Sequence, residues 1–167
     1  FNWTVFEIAL QANGKIVVVG EFTSFNGAAA NRCVRLNANG SLDPTFNVAT
    51  MPNGLIHSVQ VLPNGKILVA GQFTQFSGLS CGGVARLKSN GTIDSSFVSG
   101  VGANGDLYCV RADSAGNVFI GGDFSQYKGA SAFNIAKLDS LGNLASGSSA
   151  SFGTSARVFK IFHQNNG

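Results

Sequence analysis

Acidic side chains recur at one position of a repeated pattern in this chain, and carboxylates are preferred ligands of hard divalent cations such as Ca²⁺. Glu21 and Asp123 each follow an apolar stretch and a glycine, and Gln72 stands at the corresponding place between them. Glu21 and Asp123 could together hold a cation, but the amide of Gln72 breaks the set, so solvated strand ends are the favoured interpretation. Asp43 and Asp94 share another position, where turn caps or ion-pair partners are favoured over ligands.

Histidine and cysteine form no catalytic or metal-binding pattern in the sequence. His57 and His163 lie in different parts of the chain, and no Ser-His-Asp order, phosphate loop or metal-ligand spacing surrounds them. Cys33, Cys81 and Cys109 are an odd set without metal spacing, so buried free thiols are favoured over one incidental disulfide. We therefore expect no catalytic residue, no metal site and no cofactor.

The composition limits the classes of fold and partner. Of 167 residues only 11% are charged, whereas 22 are glycine and 14 phenylalanine, a balance that is typical of an all-β domain with many tight turns. The net charge of +3 comes from scattered residues, so we expect no nucleic acid partner. No apolar run approaches the roughly 20 residues of a membrane helix, so we expect no membrane insertion. No signal peptide is visible and the first residue is Phe1, so we expect a processed chain or an excerpt from a longer one.

A 51-residue repeat organises the chain. A turn, a short apolar strand, a glycine and an aromatic residue occur in order at Gln11–Phe22 and Leu62–Phe73, and again, more weakly, at Asp113–Phe124. The turn glycine recurs at positions 14, 65 and 116, and a fixed period of this size predicts a repeat architecture. We predict one repeat domain over residues 1–167, with repeats at 4–54, 55–105 and 106–156 and the start of a fourth at 157–167.

Two tight turns in each repeat fix the strand register. A three-residue loop that ends in a left-handed glycine, a type I turn with a glycine bulge, places apolar residues opposite each other on one face and opposite charges on the other. Such cross-strand pairs are worth about 0.2–1 kcal/mol each. The predicted pairs are Leu10 with Ile16, Leu36 with Leu42, Arg35 with Asp43, Leu87 with Ile93, Arg86 with Asp94, and Leu138 with Leu144.

The second strand of each repeat is apolar at consecutive positions, in Lys15–Val19, Ile67–Ala70 and Val118–Ile120. Since strand side chains alternate between two faces, a strand of this kind must be covered on both faces. We therefore predict that sheets stack face to face, with Val17 and Val19 buried.

One loop of each repeat varies most between the copies. After Phe22 the stretch Thr23–Asn31 is polar and small, and its counterparts differ from it in sequence. Loops held by a rigid frame commonly carry binding residues, so we predict contacts from this loop and from the loops around Met51 and Ala103. The aromatic residue of the loop recurs at one phase, which favours the alternative that it plugs the end of the core. The candidate binding residues are Asn26, Ser77 and Lys128, with Phe25, Phe76 and Tyr127 beside them.

The combined motif resembles a known repeat family. It runs (P/A)-N-G-K-I-x-V-x-G-x-F, then R-L, then N-G-(S/T)-(L/I)-D-x-(S/T)-F, at Ala12–Phe46 and Pro63–Phe97 and more weakly at Ser114–Leu144. It resembles the delta-60 repeat, a β-propeller repeat family of unknown function. The resemblance implies a place in large bacterial surface or secreted proteins or in phage tail or fibre proteins, and it implies no active site. The third copy lacks the Asp and the final Phe, for which Phe152 is the candidate replacement.

The predicted fold is all-β and built of β-propeller blades. Four antiparallel strands in hairpins make one blade, and propellers have about four to eight blades. Three four-stranded repeats and a first strand of a fourth do not close a ring, so we expect part of a larger or oligomer-completed propeller. A β-trefoil or β-prism is the alternative, although trefoil strands face a barrel interior on one side only.

These features predict a non-catalytic structural and binding module of a large extracellular or virion-surface protein, of the phage tail fibre or bacterial adhesin type. The expected partners are other protein subunits or a cell-surface receptor or glycan, in a homo-oligomer or with the remainder of a longer chain. The expected location is extracellular, at a cell surface or in a virion. The alternative is a lectin-like carbohydrate-binding domain with threefold pseudo-symmetry, which needs matching polar and aromatic residues at three pockets. An enzyme would need acids or histidines clustered at a channel mouth.

Overall fold

Three similar units of antiparallel β-structure make up the fold. The computed structural model describes residues 1–46, 52–146 and 153–162, and within these ranges there is no helix, and hence none that could cross a membrane. Unit 1 contains β1 (Val5–Leu10), β2 (Ile16–Gly20), β3 (Ser24–Phe25), β4 (Ala28–Ala29) and β5 (Cys33–Leu36). Unit 2 contains β6 (Ile56–Val61), β7 (Ile67–Gly71), β8 (Gln75–Phe76), β9 (Leu79–Ser80) and β10 (Val84–Leu87). Unit 3 contains β11 (Asp106–Ala112), β12 (Val118–Asp123), β13 (Gln126–Tyr127), β14 (Ala130–Ser131) and β15 (Ile135–Leu138).

Each unit has the same topology. Its first, second and last strands form an antiparallel sheet with the second strand in the middle, in the orders β1-β2-β5, β6-β7-β10 and β11-β12-β15. The two short strands form a separate hairpin. This repetition of one antiparallel pattern confirms the all-β prediction.

The two tight turns of each unit have the predicted three-residue loops. In the first turn the amide of Gly14 donates to the carbonyl oxygen of Gln11 at 2.9 Å, and Gly14 has a φ of 78°. Glycine adopts this left-handed conformation readily because it has no Cβ. The loop length sets the register, and the predicted apolar pairs are confirmed: Leu10 with Ile16, Leu36 with Leu42, Leu87 with Ile93, and Leu138 with Leu144.

The predicted fourth strand is reduced to a single bridge in units 1 and 2, in unit 1 that between Leu36 and Leu42. One further hydrogen bond joins the amide of Asp43 to the carbonyl oxygen of Arg35 at 2.9 Å. The carboxylate of Asp43 then accepts from the amide of Thr45 at 3.0 Å. Such a side-chain turn competes with the ladder for the backbone, so in units 1 and 2, where an aspartate holds this place, the chain bends away after one pair.

The middle strands of units 1 and 2 are buried at their central positions, as predicted, whereas in β12 of unit 3 Val118 and Ile120 are buried and Phe119 is half-buried. Along β7, Val69 packs toward unit 1 and Leu68 toward unit 3. Val17 and Val19 of β2 are fully buried, in the cluster shared with unit 2. Fully burying an aliphatic side chain contributes about 1.5–3 kcal/mol. Because alternate side chains point to opposite faces, the sheet of unit 2 lies between those of units 1 and 3.

The first strand of each sheet lies at an edge, and in units 2 and 3 a side chain of the preceding unit bonds one of its free amides. Glu7 accepts from the amide of Val59 at 2.7 Å, and Ser58 Oγ accepts from the amide of Val110 at 3.2 Å. Unpaired edge amides are a liability that proteins cover, and here the cover comes from the neighbouring unit. Arg111 extends the network, since its Nη2 donates to Glu7 Oε1 at 2.6 Å.

Residues 153–162 run along unit 3 without an assigned strand. The amide of Val158 donates to the carbonyl oxygen of Gly122 at 3.0 Å. The ring of Phe159 stacks on that of Tyr108, with centroids 4.9 Å apart. The rest of the predicted fourth repeat, and Phe152 before it, lie outside the described residues.

Candidate functional site

The candidate residues Asn26, Ser77 and Lys128 lie at the tips of the hairpins β3–β4, β8–β9 and β13–β14. The sequence predicts a variable loop here, and the structure shows a hairpin. The hairpin forms because each tip residue is followed by a glycine and both have positive φ, for example 48° at Asn26 and 81° at Gly27. Two successive left-handed residues make the type I′ turn of two-residue hairpins. The tip backbone is therefore alike in the three units, while the tip side chain is an amide, a hydroxyl or an ammonium group.

The aromatic residue before each tip packs inward. Phe76 and Tyr127 are fully buried, and the Tyr127 hydroxyl donates to the carbonyl oxygen of Gly142 at 2.9 Å. Phe25 is half-buried beside Phe1, with ring centroids 4.7 Å apart. The burial of these rings is what we expect if the aromatic residue fills the end of the core. A role of the three rings in binding stays a prediction.

Lys128 is held in one place by contacts with the neighbouring turns. Its Nζ donates to the carbonyl oxygen of Val98 at 2.5 Å and to Asn143 Oδ1 at 2.9 Å. It also lies 5.9 Å from the centroid of the Tyr127 ring. Burial lowers the pKa of Lys128, and Asp139 acts in the opposite direction. The tip of unit 3 therefore carries a fixed positive charge that Asn26 does not supply in unit 1.

The second predicted contact loop is described only in part, because Met51 lies outside the described residues. Ala103 is buried. Its amide donates to the carbonyl oxygen of Gly82 at 3.0 Å, and it forms a bridge with Tyr127. This loop is thus fixed against the hairpin β13–β14, and its role in contacts stays a prediction.

An asparagine that sequence reasoning missed fixes each short hairpin to its unit. Asn53 Oδ1 accepts from the amides of Thr74 and Gln75 at 2.9 and 3.0 Å, and Asn53 Nδ2 donates to Thr74 Oγ1 at 2.9 Å. Asn2 and Asn104 make the equivalent bonds in units 1 and 3. The 51-residue spacing of Asn2, Asn53 and Asn104 could have indicated them from the sequence.

Replacing Asn53 with alanine is expected to loosen the hairpin β8–β9 and to leave the sheets folded. Two backbone amides lose their acceptor, and a typical hydrogen bond contributes about 0.5–1.5 kcal/mol. Hydrogen exchange should become faster at Thr74 and Gln75 and stay unchanged at Val69 in the centre of the sheet. Asn53→Asp keeps the acceptor and is the matched control. Unchanged exchange at Thr74 in N53A would contradict the assignment.

The acidic positions Glu21 and Asp123 make no cation site in the described residues. Asp123 pairs with Arg157 at 2.7 Å, and Gln72 Nε2 donates to Asp106 Oδ2 at 2.7 Å. Both are exposed contacts that join one unit to the segment that follows it. Across residues 1–46, 52–146 and 153–162, no three His, Cys, Asp or Glu side chains are grouped so as to hold a metal ion.

Asp43 and Asp94 are ion-pair partners and turn caps, as predicted. Asp94 Oδ2 accepts from Lys66 Nζ and Arg86 Nε, both at 2.8 Å, and Oδ1 accepts from the hydroxyl of Ser96 at 2.7 Å. Asp43 has the equivalent donors in unit 1. Burial alone raises the pKa of Asp94, but hydrogen bonds, that from Lys66 first, outweigh it and hold the pKa well below its usual value.

A row of aromatic side chains lies along the first strands, at a position that sequence reasoning missed. Phe6, His57, Tyr108 and Phe159 stand 51 residues apart, and successive ring centroids are 4.9, 5.7 and 4.9 Å apart. In units 1–3 each is the extra residue of a β-bulge at the start of the first strand. The 51-residue spacing of these four residues could have indicated the row from the sequence. The spacing does not show which way the side chains point, because a bulge changes the direction of a side chain.

His57 packs within the aromatic row and has no catalytic partner there. Burial lowers the pKa of His57, and Asp106 acts in the opposite direction. Its Nε2 has no hydrogen-bond partner among the described residues. The other histidine, His163, lies outside them.

Acidification is expected to lower the stability in two stages. The lowered pKa of His57 means that the unfolded chain takes up a proton first, so stability begins to fall below about pH 6.5. For Asp43 and Asp94 the folded pKa lies below the unfolded one, so their stabilisation is complete above the unfolded pKa and is lost as the pH falls through the folded pKa.

Urea titrations between about pH 7 and pH 2.5 measure this loss through the free energy of unfolding. Asp94→Asn should make the loss below about pH 4 smaller, because Asp43 still contributes to it, and His57→Gln should remove only the earlier stage. A wild-type curve that stays level below pH 4 would refute the assignment for the aspartates.

The three cysteines are buried free thiols. Burial raises the pKa of Cys33 and of Cys81 to about 12, and that of Cys109 to about 11. A thiol that stays protonated is a poor nucleophile and a poor metal ligand. None of the three therefore has the surroundings of a reactive cysteine.

Equivalent cavities lie between the short hairpin and the second turn in units 1 and 2. Their volumes are about 120 Å³ in unit 1 and about 220 Å³ in unit 2. The larger cavity is lined mainly by apolar atoms, including those of Leu79, Ile93 and Phe97. Matching polar residues, which the lectin alternative needs, do not dominate this lining.

Comparison with known proteins identifies the repeated unit. A family model described as "Domain of unknown function (DUF5122) beta-propeller" matches residues 11–46, 62–97 and 116–144. Each match covers the middle strand, the short hairpin and the second turn of one unit. No curated protein matches the chain. With the three stacked antiparallel sheets, the match confirms the predicted propeller-blade fold class over the trefoil and prism alternatives.

Proposed function

Because the chain belongs to the DUF5122 β-propeller family, we propose that it is a non-catalytic structural and binding module whose contacts come from the hairpin tips. Each unit then acts as one blade of a propeller. The delta-60 designation, the extracellular or virion-surface setting and the tail-fibre or adhesin type belong to the same proposal. They are supported by the sequence motif alone.

The observation that carries the proposal is the contrast between a constant frame and variable tips. The asparagine bonds that fix the hairpins recur in all three units, and so does the positive-φ tip backbone. On this constant backbone the side chains of Asn26, Ser77 and Lys128 differ in size, charge and hydrogen-bonding capacity. Loops presented by a rigid scaffold are where binding residues concentrate.

The polar residues that could have served catalysis are engaged in the frame, which supports a non-catalytic role. Asp43 and Asp94 bind the donors of their own turns. His57 packs between neighbouring rings, and the thiols are buried.

Substitutions at the tips test the proposal. S77N/K128N gives all three tips the same side chain, and asparagine tolerates the positive φ of the turn. The control, K88N, removes one positive charge from an exposed position at another turn. Binding of labelled protein is measured on arrays of bacterial surface glycans and on intact bacterial cells.

The tip variant should lose at least about tenfold in affinity, or 1.4 kcal/mol, while K88N binds like the wild type. A tip variant that binds every target as the wild type does would refute the role of the tips. Binding to glycans alone, unaffected by the tips, would instead favour the lectin alternative.

A further inference from the structure

Arg35 and Phe46 of unit 1 together contact the second turn of unit 2, and we call this pair of side chains the clamp. Arg35 Nη1 donates to the carbonyl oxygen of Ser89 at 2.5 Å. The ring of Phe46 covers Gly91 so closely that a Cβ there would lie 3.0 Å from it. The guanidinium of Arg35 lies 4.7 Å from the centroid of the Phe46 ring, so the two side chains act as one contact.

The same clamp joins unit 2 to unit 3. Arg86 Nη1 donates to the carbonyl oxygen of Ser140 at 2.6 Å, and a Cβ on Gly142 would lie 3.1 Å from the Phe97 ring. The residue pairs at both interfaces are related by the 51-residue period. Two independent interfaces therefore follow one rule: an Arg and a Phe of one unit bind a carbonyl oxygen and a glycine of the next.

The receiving half of this rule is present on unit 1, where no arginine or phenylalanine of the described residues occupies it. By the period, Ala38 and Gly40 hold the places of Ser89 and Gly91. A Cβ on Gly40 would meet no described atom within 4 Å. At the inner edge, Ile8 is 59% exposed, whereas Val59 at the equivalent place in unit 2 is 3% exposed.

We propose that this face of unit 1 binds a further blade of the same repeat family, one that carries an arginine and a phenylalanine at the places of Arg35 and Phe46. The arginine would donate to the carbonyl oxygen of Ala38, and the phenylalanine would cover Gly40. An acceptor at the place of Glu7 or Ser58 would bind the amide of Ile8. The partner is identified by the two interfaces on the page, and the inference does not rest on the proposed binding function of the tips.

Unit 3 of a second copy does not fit this face. The sequence has Lys137, Ala145 and Ser148 at the places of the clamp arginine, its aspartate and its phenylalanine. An ammonium group lacks the forked guanidinium geometry, and Lys137 Nζ already lies 5.7 Å from the centroid of the Phe119 ring. Closing a ring by joining unit 3 of one copy to unit 1 of another would leave the clamp unmade.

An added blade tests the inference directly. A chain that runs 1–54 and then 4–167 places a copy of unit 1, with its arginine and phenylalanine, in front of the native unit 1 and keeps the 51-residue period. The matched control carries R35A and F46A in the added copy of unit 1 and keeps its Glu7, the acceptor for the Ile8 amide. A copy of 106–156 is not suitable because Cys109 holds the place of Glu7. A second extension inserts 4–105, so that the added blade has a packed neighbour of its own if the single copy fails to fold.

Hydrogen exchange at the native Ile8 amide is the readout, with the Val59 amide as the internal reference. We expect the clamp-bearing extensions to slow exchange at Ile8 at least tenfold and to raise the Tm. The R35A/F46A control should lose most of both effects.

The proposal is overturned if neither clamp-bearing extension slows exchange at the Ile8 amide. It is also overturned if the control extension protects that amide equally well. An unextended chain that dimerises in solution with Ile8 protected would make a second copy the occupant and would also overturn it. All of these outcomes are independent of whether the tips bind a target.

Discussion

Asp94→Ala is expected to lower the free energy of unfolding by about 3–5 kcal/mol, the range measured when one partner of a buried ion pair is removed. Asp94 Oδ2 accepts from Arg86 Nε at 2.8 Å, and the two side chains are only 7% and 9% exposed. Without the carboxylate, the guanidinium is left buried and without its counter-charge. The same arginine also holds unit 3 through Ser140, so the damage is expected to reach the interface between the units.

Two variants separate this cause from a general sensitivity of the turn. Lys66 also pairs with Asp94 but is 37% exposed, and an exposed pair is worth about 0–1 kcal/mol, so K66A should change the stability little. R86M/D94A removes both buried charges and should recover part of the loss. Urea unfolding measures all three, and a loss in D94A no larger than in K66A would contradict the assignment.

Phe76→Ala is expected to cost about 3–5 kcal/mol, as is usual for deleting a buried phenylalanine ring. The ring is fully buried and meets that of Phe73 with centroids 5.9 Å apart. It belongs to the cluster between units 1 and 2, so the cavity left behind would loosen both sheets. The measurement is again the free energy of unfolding from urea titration.

Phe25→Ala is the matched control because Phe25 has the same place in unit 1 but is only half-buried. Its loss should be less than half of that in F76A. If Phe76 were mainly a binding residue, F76A would reduce target affinity with little change in stability, and that outcome would refute its role as a plug.

Local rules explain why so much of the frame could be predicted. The turn at Ala12–Gly14 closes with a left-handed glycine, and the loop length then sets the pairing of Leu10 with Ile16. The burial of Val17 and Val19 follows from alternation in the strand. Each of these depends on residues close together in the sequence, and the 51-residue period repeats them.

The contacts between units could not be read in the same way. Glu7 binds the amide of Val59, and Arg35 binds the carbonyl oxygen of Ser89. Both partners are more than 50 residues away, and nothing in the local sequence says which carbonyl or amide a side chain will reach. The aromatic row at His57 depends likewise on a bulge that turns the side chain out of the ordinary strand pattern.

The sequence by itself determined the period, the turns, the strand register and the doubly covered middle strand, because these follow from backbone preferences and side-chain alternation within a few residues. Only the tertiary structure decided that the variable loop is a type I′ hairpin, that its aromatic residues in units 2 and 3 are buried, and that a clamp of arginine and phenylalanine joins successive units. Those features depend on how one sheet is placed against the next, and that placement is set by packing across whole units.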